Sequence, residues 1–251
     1  MWNYSPWALL PPIFSACTAV GLWTVYFVAV KHEKISPLSS QHWKKNGSLY
    51  PPYISMAGNF PPASCIFSEV MNLAAFVGFI IAVLRYHQLK HVIDKPWLNV
   101  GSLVLFSIGC FGMTLIGNFQ LLTEKAIHNS GTFMTFGLGT VYCWVQSYIT
   151  LKANLKNEGR KVAIVRFLLS ASITLCMVLH FTLVFQRLHM DAARCQWALV
   201  MFFLIFLGTF ATEFRHNRFD VVCTDNCGGP VSLSETHSEV STHQPDQPDQ
   251  L

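Results

Sequence analysis

The sequence predicts an all-α membrane protein with six transmembrane helices and with both termini in the cytoplasm. The chain of 251 residues is 52% hydrophobic and only 12% charged, whereas a soluble domain has about 25% charged residues. Six apolar runs each approach the ~20 residues that a helix needs to cross a ~30 Å hydrocarbon core. Because lipid offers the backbone no hydrogen-bond partners, each run is expected to be a helix.

The six runs divide the chain into spans and connections. They cover about residues 7–30, 66–84, 98–117, 130–151, 164–185 and 195–212. The first run lacks the basic start of a signal peptide and is too long for its apolar region, so we expect it to be retained as a helix.

The connections and the C-terminal tail complete the predicted organisation. Residues 1–222 are expected to form the transmembrane domain, within which residues 31–65 form a first extracellular loop. Residues 224–251 contain no Lys or Arg and are rich in Ser, Thr, Pro and Gln. Such a composition buries too little apolar surface to fold. We therefore predict that residues 223–251 are a disordered, acidic cytoplasmic tail.

The distribution of basic residues predicts the orientation. Nine Lys and Arg residues lie in loops 85–97 and 152–163 and after the sixth run, against six in the alternate loops. Basic residues in short loops mark the cytoplasmic side. The sequon at Asn46 lies in the first loop, on the opposite side, and makes Asn46 a candidate glycosylation site.

The stretch of residues 51–72 begins as a loop punctuated by two Pro-Pro pairs, which cannot be helical, and becomes the second span. Polar residues cluster at this predicted outer side, in the first turns of the second span and around the third connection. The members of this candidate outer polar cluster are Glu69, Asn72, Asn118, Gln120 and His128. They could form a vestibule that attracts cations, or they could cap helix ends and join neighbouring helices. For Glu69 the sequence favours the second interpretation.

Small residues recur every four positions in the fourth span, at Gly131, Thr135, Gly139, Cys143 and Ser147. A ridge of small side chains lets helix backbones approach closely in lipid. We expect this ridge to be a packing seam within the molecule, with a homodimer seam or a pore lining as the alternatives.

The eight cysteines form no Cys-x-x-Cys pair. Cys65 and Cys195 are both predicted at the outer side, where the compartment permits a disulfide between them. Cys223 and Cys227 follow the last span on the cytoplasmic side, and juxtamembrane cysteines are candidates for palmitoylation.

Motifs for catalysis or for cofactor binding are absent. The sequence has no phosphate-binding loop, nucleophile elbow or His-Glu-x-x-His motif. His87 and His91 have a helical i, i+4 spacing but no third ligand nearby, so we interpret them as a basic helix end. The sequence therefore predicts neither an enzyme nor a metal or cofactor site.

Acidic residues in the spans are limited to Glu69 and Glu213, near opposite faces. That placement argues against a pair of carboxylates at the membrane midplane for ion-coupled transport. Glu213 is expected to pair with Arg215 or Arg218. No selectivity filter or arginine ladder is present, which favours a modulator over an autonomous pore.

The expected partners follow from the same composition. The lipid bilayer is the first, and the basic loop at 152–161 is suited to anionic lipids. The basic residues are scattered between apolar runs rather than clustered on one face, so no nucleic-acid binding is expected.

Several motifs resemble the Frag/DRAM/Sfk family of six-span proteins over roughly residues 7–222. They are Pro52-Tyr53-Ile54-Ser55, Gly58, Pro61-Pro62, Ile66-Phe67, Arg85-Tyr86, Gly117-Asn118-Phe119-Gln120 and His128. Pro61 to Cys65 are similar to the transmembrane protein 150 branch. Residues 111–115, 117–121, 156–160 and 170–176, together with 208–210 and 213–216, are similar to its C-type subgroup, the tentonins, whereas Met1-Trp2 and Cys195 are more similar to the B-type subgroup.

The C-type resemblance implies a component or modulator of a mechanosensitive cation channel with slowly inactivating currents. It implies a plasma-membrane location and, as a partner, a stretch-activated channel or a second copy of the chain. Relatives in the family imply an alternative, which is modulation of autophagy and endolysosomal membrane traffic, with an endosomal or lysosomal location. A plasma-membrane adaptor for a phosphoinositide kinase complex is a further alternative.

Overall fold

The protein is helical in the computed structural model, which describes residues 5–41, 49–217, 219, 224–225 and 229–230. Its long helices are α1 (Leu10–Lys31), α3 (Ala63–Leu89), α4 (Pro96–Asn118), α6 (Gly139–Ala153), α7 (Gly159–Phe185) and α8 (His189–Gly208). The shorter ones are α2 (Ile54–Ala57), α5 (Lys125–Thr132) and α9 (Ala211–Phe214), with 3-10 turns at Pro6–Leu9 and Leu155–Asn157. A π-helical segment, Phe133–Leu138, joins α5 to α6.

Five helices in the described part of the chain are long and apolar enough to cross a membrane. They are Pro6–Lys31, Ala63–Leu89, Pro96–Asn118, Gly159–Phe185 and His189–Phe214. The predicted fourth span, 130–151, is divided among α5, the π-helical segment and α6, and α6 alone has 15 residues. The chain is thus an all-helical, multi-pass membrane protein, while the sixth crossing and the orientation stay predictions.

The helices of residues 5–217 pack as a closed ring in which each contacts two neighbours. Helix α3 packs against α1 and α4, and α4 packs against α5, the π-helical segment and α6. Helix α7 packs between α6 and α8, and α8 closes the ring against α1. The ring therefore encloses a common apolar interior, which includes Phe67, Phe106 and Phe206.

The ring has two distinguishable ends. Near the start of the chain, the Ser5 amide donates a hydrogen bond of 3.3 Å to the carbonyl of Arg215, which follows α9. We call this side the terminal end. The opposite side, which we call the loop end, carries residues 32–41, 49–62, 119–124 and 186–188, which connect the helices there.

The loop between α1 and α3 is fixed to the start of α8. The Trp197 indole donates to the carbonyl of Pro52 over 3.0 Å, and the Ile54 amide donates to the Gln196 side-chain oxygen over 2.9 Å. Trp197 also stacks on Trp23 of α1, with ring centroids 4.4 Å apart. The prediction that this stretch cannot be helical was wrong for α2 (Ile54–Ala57), because a proline restricts only itself and the residue before it and none lies between Tyr53 and Phe60. The contacts with α8 and α1 give the stretch its fixed position over the ring.

The chain beyond residue 218 forms a separate unit. Its described part is a pair of two-residue antiparallel strands, β1 (Thr224–Asp225) and β2 (Gly229–Pro230). The predicted glycosylation site Asn46 and the predicted palmitoylation sites Cys223 and Cys227 lie outside the described residues.

Candidate functional site

Three ionisable side chains meet in the interior at the terminal end, and we call Arg85, Arg166 and Glu213 the arginine–glutamate cluster. Their side chains are exposed by only 1%, 0% and 6%. The Glu213 carboxylate lies between the two guanidinium groups, with Oε1 2.8 Å from Nη2 of Arg85 and Oε2 bonded to Nη2 of Arg166. Two positive charges share one negative charge, so the buried cluster carries a net charge of +1.

Neutral side chains accept further hydrogen bonds from both guanidinium groups. Arg85 donates from Nη1 to the Gln88 side-chain oxygen over 2.6 Å and from Nε to that of Gln146 over 3.2 Å. Arg166 donates from Nε to the Thr209 hydroxyl over 2.9 Å and from Nη1 to that of Thr150. Buried charges are tolerated only when their hydrogen-bonding groups are occupied, and this network meets that condition.

An aromatic ring lies beside both arginines. The Phe210 centroid is 5.2 Å from the guanidinium carbon of Arg85 and 4.4 Å from that of Arg166. A cation over an aromatic face is attracted by the ring quadrupole. Phe210 thereby adds favourable contacts that offset part of the surplus positive charge.

The cluster joins helices that are far apart in the chain. Its charged members come from α3, α7 and α9, and its hydrogen-bonding partners include Gln146 and Thr150 of α6. Gln146 in turn donates to Ser102 of α4 over 2.6 Å. These bonds link five helices across the terminal end, which gives the cluster a structural role there.

The expected pairing of Glu213 with Arg215 was wrong. The turn after Thr209 directs Glu213 into the ring, where it pairs with Arg85 and Arg166. Arg215 instead pairs with Glu158, 2.5 Å away, and its donated hydrogen bonds hold the pKa of that carboxyl below its usual range. Arg218 lies outside the described residues.

Sequence reasoning missed the two arginines of the cluster. Arg85 was counted as a loop residue, and Arg166 was not singled out although it follows the start of the fifth apolar run. A lone arginine inside an apolar run is costly unless it is paired. Applied to Arg166 and Glu213 together, that rule predicts that the two side chains pair. It was the signal in the sequence that could have identified the cluster.

The predicted outer polar cluster does not come together as one site. Asn72 of α3 and Asn118 of α4 form a reciprocal pair, with hydrogen bonds of 3.1 and 3.0 Å, and the Ser68 hydroxyl donates to Asn118 over 2.8 Å. Glu69 is exposed, and among the described residues neither it nor the Gln120 side chain has a hydrogen-bond or ion-pair partner. The asparagines are thus interhelix contacts rather than the wall of a vestibule.

His128 lies apart from the asparagine pair, and it joins the start of the loop after α4 to α2. Its Nδ1 donates to the Phe119 carbonyl over 2.7 Å, and its Nε2 accepts from the Ser55 hydroxyl at 2.9 Å. The side chain precedes the predicted fourth span and is only 2% exposed. Burial lowers its pKa from the ordinary value, because a charged imidazole is poorly solvated there.

The small-residue ridge does not lie against a single neighbouring helix. A methyl group on Gly131 would come within 2.7 Å of the Gly112 carbonyl oxygen in α4, and the Thr135 hydroxyl donates to the Gly109 carbonyl over 3.2 Å. Gly139 faces Phe203 of α8 instead. The π-helical segment, which contains Thr135 and ends just before Gly139, has more residues per turn than an α-helix, so the four-residue spacing changes face.

The possible disulfide between Cys65 and Cys195 is not formed, and both residues are free thiols. Cys65 is exposed on α3, which packs against α1 and α4, whereas Cys195 lies on α8, which packs against α1 and α7. The two helices are not neighbours in the ring, which is the reason that the thiols do not meet.

An apolar cavity of about 100 Å³ occupies the centre of the ring. Its walls include Phe14, Leu22, Phe67, Phe106, Phe136 and Leu204. Within the part of the chain that the structure describes, no acidic or basic side chain lines it. No group of three or more His, Cys, Asp or Glu side chains that could hold a metal occurs among those residues either.

Comparison with known proteins places these features in a family context. The family model described as the Frag1/DRAM/Sfk1/Cwh43P N-terminal domain matches residues 6–217. The zebrafish protein named modulator of macroautophagy TMEM150B is 34% identical, covering 91% of this chain and 94% of its own length. Human transmembrane protein 150A is 30% identical over 94% and 95% of the two chains. No solved structure matches.

The human modulator of macroautophagy TMEM150B is 33% identical over 89% of this chain and 91% of its own length. These relatives confirm the expected family and its transmembrane protein 150 branch. They are A-type and B-type members, so the similarity to the C-type subgroup stays a prediction.

Proposed function

We propose, from the premise that the chain belongs to the Frag1/DRAM/Sfk1/Cwh43P family, that it is a multi-pass membrane modulator of macroautophagy. One observation carries this proposal. The zebrafish and human proteins named modulator of macroautophagy TMEM150B match nearly the whole chain, at 34% and 33% identity. The proposed location is an endosomal or lysosomal membrane, in place of the plasma membrane that the C-type resemblance implies.

The geometry is compatible with a modulator that acts through its surfaces. The arginine–glutamate cluster fills the terminal end of the ring with buried, hydrogen-bonded side chains. The central cavity is small and apolar, and its described lining contains no ring of charged side chains of the kind that makes a selectivity filter. These features support a modulator over an autonomous pore.

A second candidate function is retained because specific segments favour it. Residues 117–121, 156–160 and 170–176 resemble the C-type subgroup, which implies a component or modulator of a mechanosensitive cation channel. Its partner would be a stretch-activated channel or a second copy of the chain. The plasma-membrane adaptor for a phosphoinositide kinase complex, which the family resemblance implies, is the remaining alternative.

The deciding experiment measures autophagic flux and mechanically activated currents in the same cells. Cells that lack the protein are compared with cells in which the full chain is restored at the native level. Flux is read as turnover of a lipidated autophagosome marker with and without a lysosomal inhibitor. We expect restoration to change flux and to leave current amplitude and inactivation unchanged. Unchanged flux with altered inactivation would replace the first candidate with the second.

A further inference from the structure

A second cavity opens in the loop-end half of the ring, between the π-helical segment, α7 and α8. Its volume is about 580 Å³, within the range of ~300–1,000 Å³ that is typical of small-molecule sites. Its aromatic walls are Phe133, Phe136 and Phe181. Phe133 and Phe181 are 69% and 63% exposed, so the cavity is open toward the surrounding lipid.

The cavity exists because α6 and α7 are joined tightly only toward the terminal end. There the Ser147 and Ser170 hydroxyls lie 3.2 Å apart, and the Trp144 indole donates to Thr174 over 3.0 Å. Farther toward the loop end, the space between the segment before α6 and Met177 of α7 is open. The π-helical segment lies at this opening, and such segments occur frequently at functional sites.

Four polar side chains lie in the wall, at Asn129, Thr132, His180 and Gln196, and the two that α7 and α8 contribute offer one acceptor and one donor. His180 donates from Nδ1 to the Ala192 carbonyl over 2.9 Å. A carbonyl only accepts, so Nε2 of the neutral ring is an acceptor, and it has no partner among the described residues. The Gln196 oxygen accepts from the Ile54 amide, which leaves its NH₂ group as a donor without a partner in the same part of the chain.

This lining matches the hydrogen bonding of a hydroxyl group. A hydroxyl both donates and accepts, as the pair of His180 and Gln196 requires. The described lining contains no Lys or Arg that could balance a phosphate and no Asp or Glu that could balance an amine. The occupant is therefore expected to be uncharged.

The aromatic walls favour a rigid occupant over a flexible one. Three phenylalanine rings lie in the walls, and a rigid fused-ring body loses less conformational entropy on binding than a flexible acyl chain does. We propose that this cavity is a binding site for a membrane sterol, held by its hydroxyl group between His180 and Gln196 and by its ring system against the phenylalanines. The proposal is independent of the proposed role in autophagy.

The test is photolabelling of the purified full-length protein in lipid nanodiscs with a photoreactive sterol. Label is expected in peptides that contain residues 129–137 and 177–181, and excess unlabelled sterol should compete for it. The methyl ether of the sterol, which cannot donate a hydrogen bond, should compete at least about fivefold less well. A photoreactive phosphatidylcholine should not label these peptides preferentially.

Matched variants separate the cavity from bulk lipid. Met177→Trp fills the cavity and should lower labelling at least about fivefold, whereas Val178→Trp, at an exposed position one residue away, should leave it unchanged. His180→Leu should remove the preference for the sterol over its methyl ether. Label spread evenly over the lipid-facing helices, or equal competition by the ether, would overturn the proposal. The distribution of label and the competition by the methyl ether are both measured on the wild-type chain. They therefore test the proposal even if Met177→Trp does not fold.

Discussion

Glu213 is the residue that makes two buried arginines compatible with the interior of the ring. Removing one partner of a buried ion pair leaves an uncompensated charge, which costs about 3–5 kcal/mol. Glu213 is the common partner of Arg85 and Arg166, so its loss affects two charges. Loss of either arginine leaves a neutral pair. The three positions are thus unequal in their expected effect on stability.

We expect Glu213→Gln to lower the free energy of unfolding by about 3–5 kcal/mol and Arg166→Met to lower it by less. The measurement is thermal unfolding of the purified protein in detergent, with yield from membranes as a second readout. Glu158→Gln is the control, because it removes the exposed partner of Arg215 and should leave the unfolding temperature almost unchanged. A Glu213→Gln protein as stable as the wild type would contradict the assigned role of the cluster.

His128 makes the loop-end contact sensitive to acid. Its folded-state pKa lies below the ordinary value of 6.5, so the stabilising neutral form is fully present above that value. As the pH falls below 6.5, the unfolded chain takes up a proton that the folded chain resists, and stability is lost down to the folded-state pKa. The wild type should therefore lose more stability between pH 7.5 and 5.0 than His128→Gln does, measured by thermal unfolding. His91→Gln, at an exposed position, should retain the wild-type dependence, and an equal dependence in all three proteins would exclude His128 as the titrating group.

At the scale of the helix, the seam between α4 and the start of the fourth predicted span depends on glycine. A methyl group on Gly112 would lie 2.7 Å from the Gly131 carbonyl oxygen, which is backbone and cannot move away alone. Around Gly101, on the same helix, nothing lies within 4 Å of such a methyl group. Alanine substitutions at the two positions therefore distinguish the effect of packing on stability from the effect of helix propensity.

We expect Gly112→Ala to destabilise the protein by about 1–3 kcal/mol, the usual cost of overpacking. Gly101→Ala should be neutral or stabilising by up to about 1 kcal/mol, since alanine favours helix. Gly139→Ala should be milder than Gly112→Ala, because its neighbour is the ring edge of Phe203 at 3.3 Å, which can rotate. Unfolding temperatures of the three variants provide the measurement, and equal values for Gly112→Ala and Gly101→Ala would refute the seam.

For the whole molecule, the ring begins and ends on one side, where Ser5 contacts Arg215. The count of basic residues predicts that this side is cytoplasmic. In sealed microsomes with the cytoplasmic face outside, an impermeant maleimide should then label Arg160→Cys directly. Ser39→Cys, at the loop end, should react only after detergent is added, and the wild type gives the background from native cysteines. The reverse pattern would invert the predicted orientation.

The sequence by itself determined the helical, multi-pass class of the protein, because apolar runs of spanning length have no other stable form in lipid. It also identified the family from local motifs, and it located the proline-rich loop, whose backbone restriction is a local property. It also placed Asn72 and Asn118, which join α3 and α4, near each other, since each lies at the predicted outer end of its run. It assigned Glu69 and Gln120 to the same cluster, and the structure does not bring them into that contact.

Only the tertiary structure decided which distant groups meet. Glu213 pairs with arginines on two other helices rather than with its sequence neighbours, because the turn after Thr209 directs the carboxylate inward. Cys65 and Cys195 stay apart because their helices are not neighbours in the ring. The π-helical segment, which redirects the small-residue ridge and lies beside the second cavity, follows from packing between helices. The spacing of residues along one helix shows only which of them share a face. The contacts described here depend on which helices become neighbours when the ring forms.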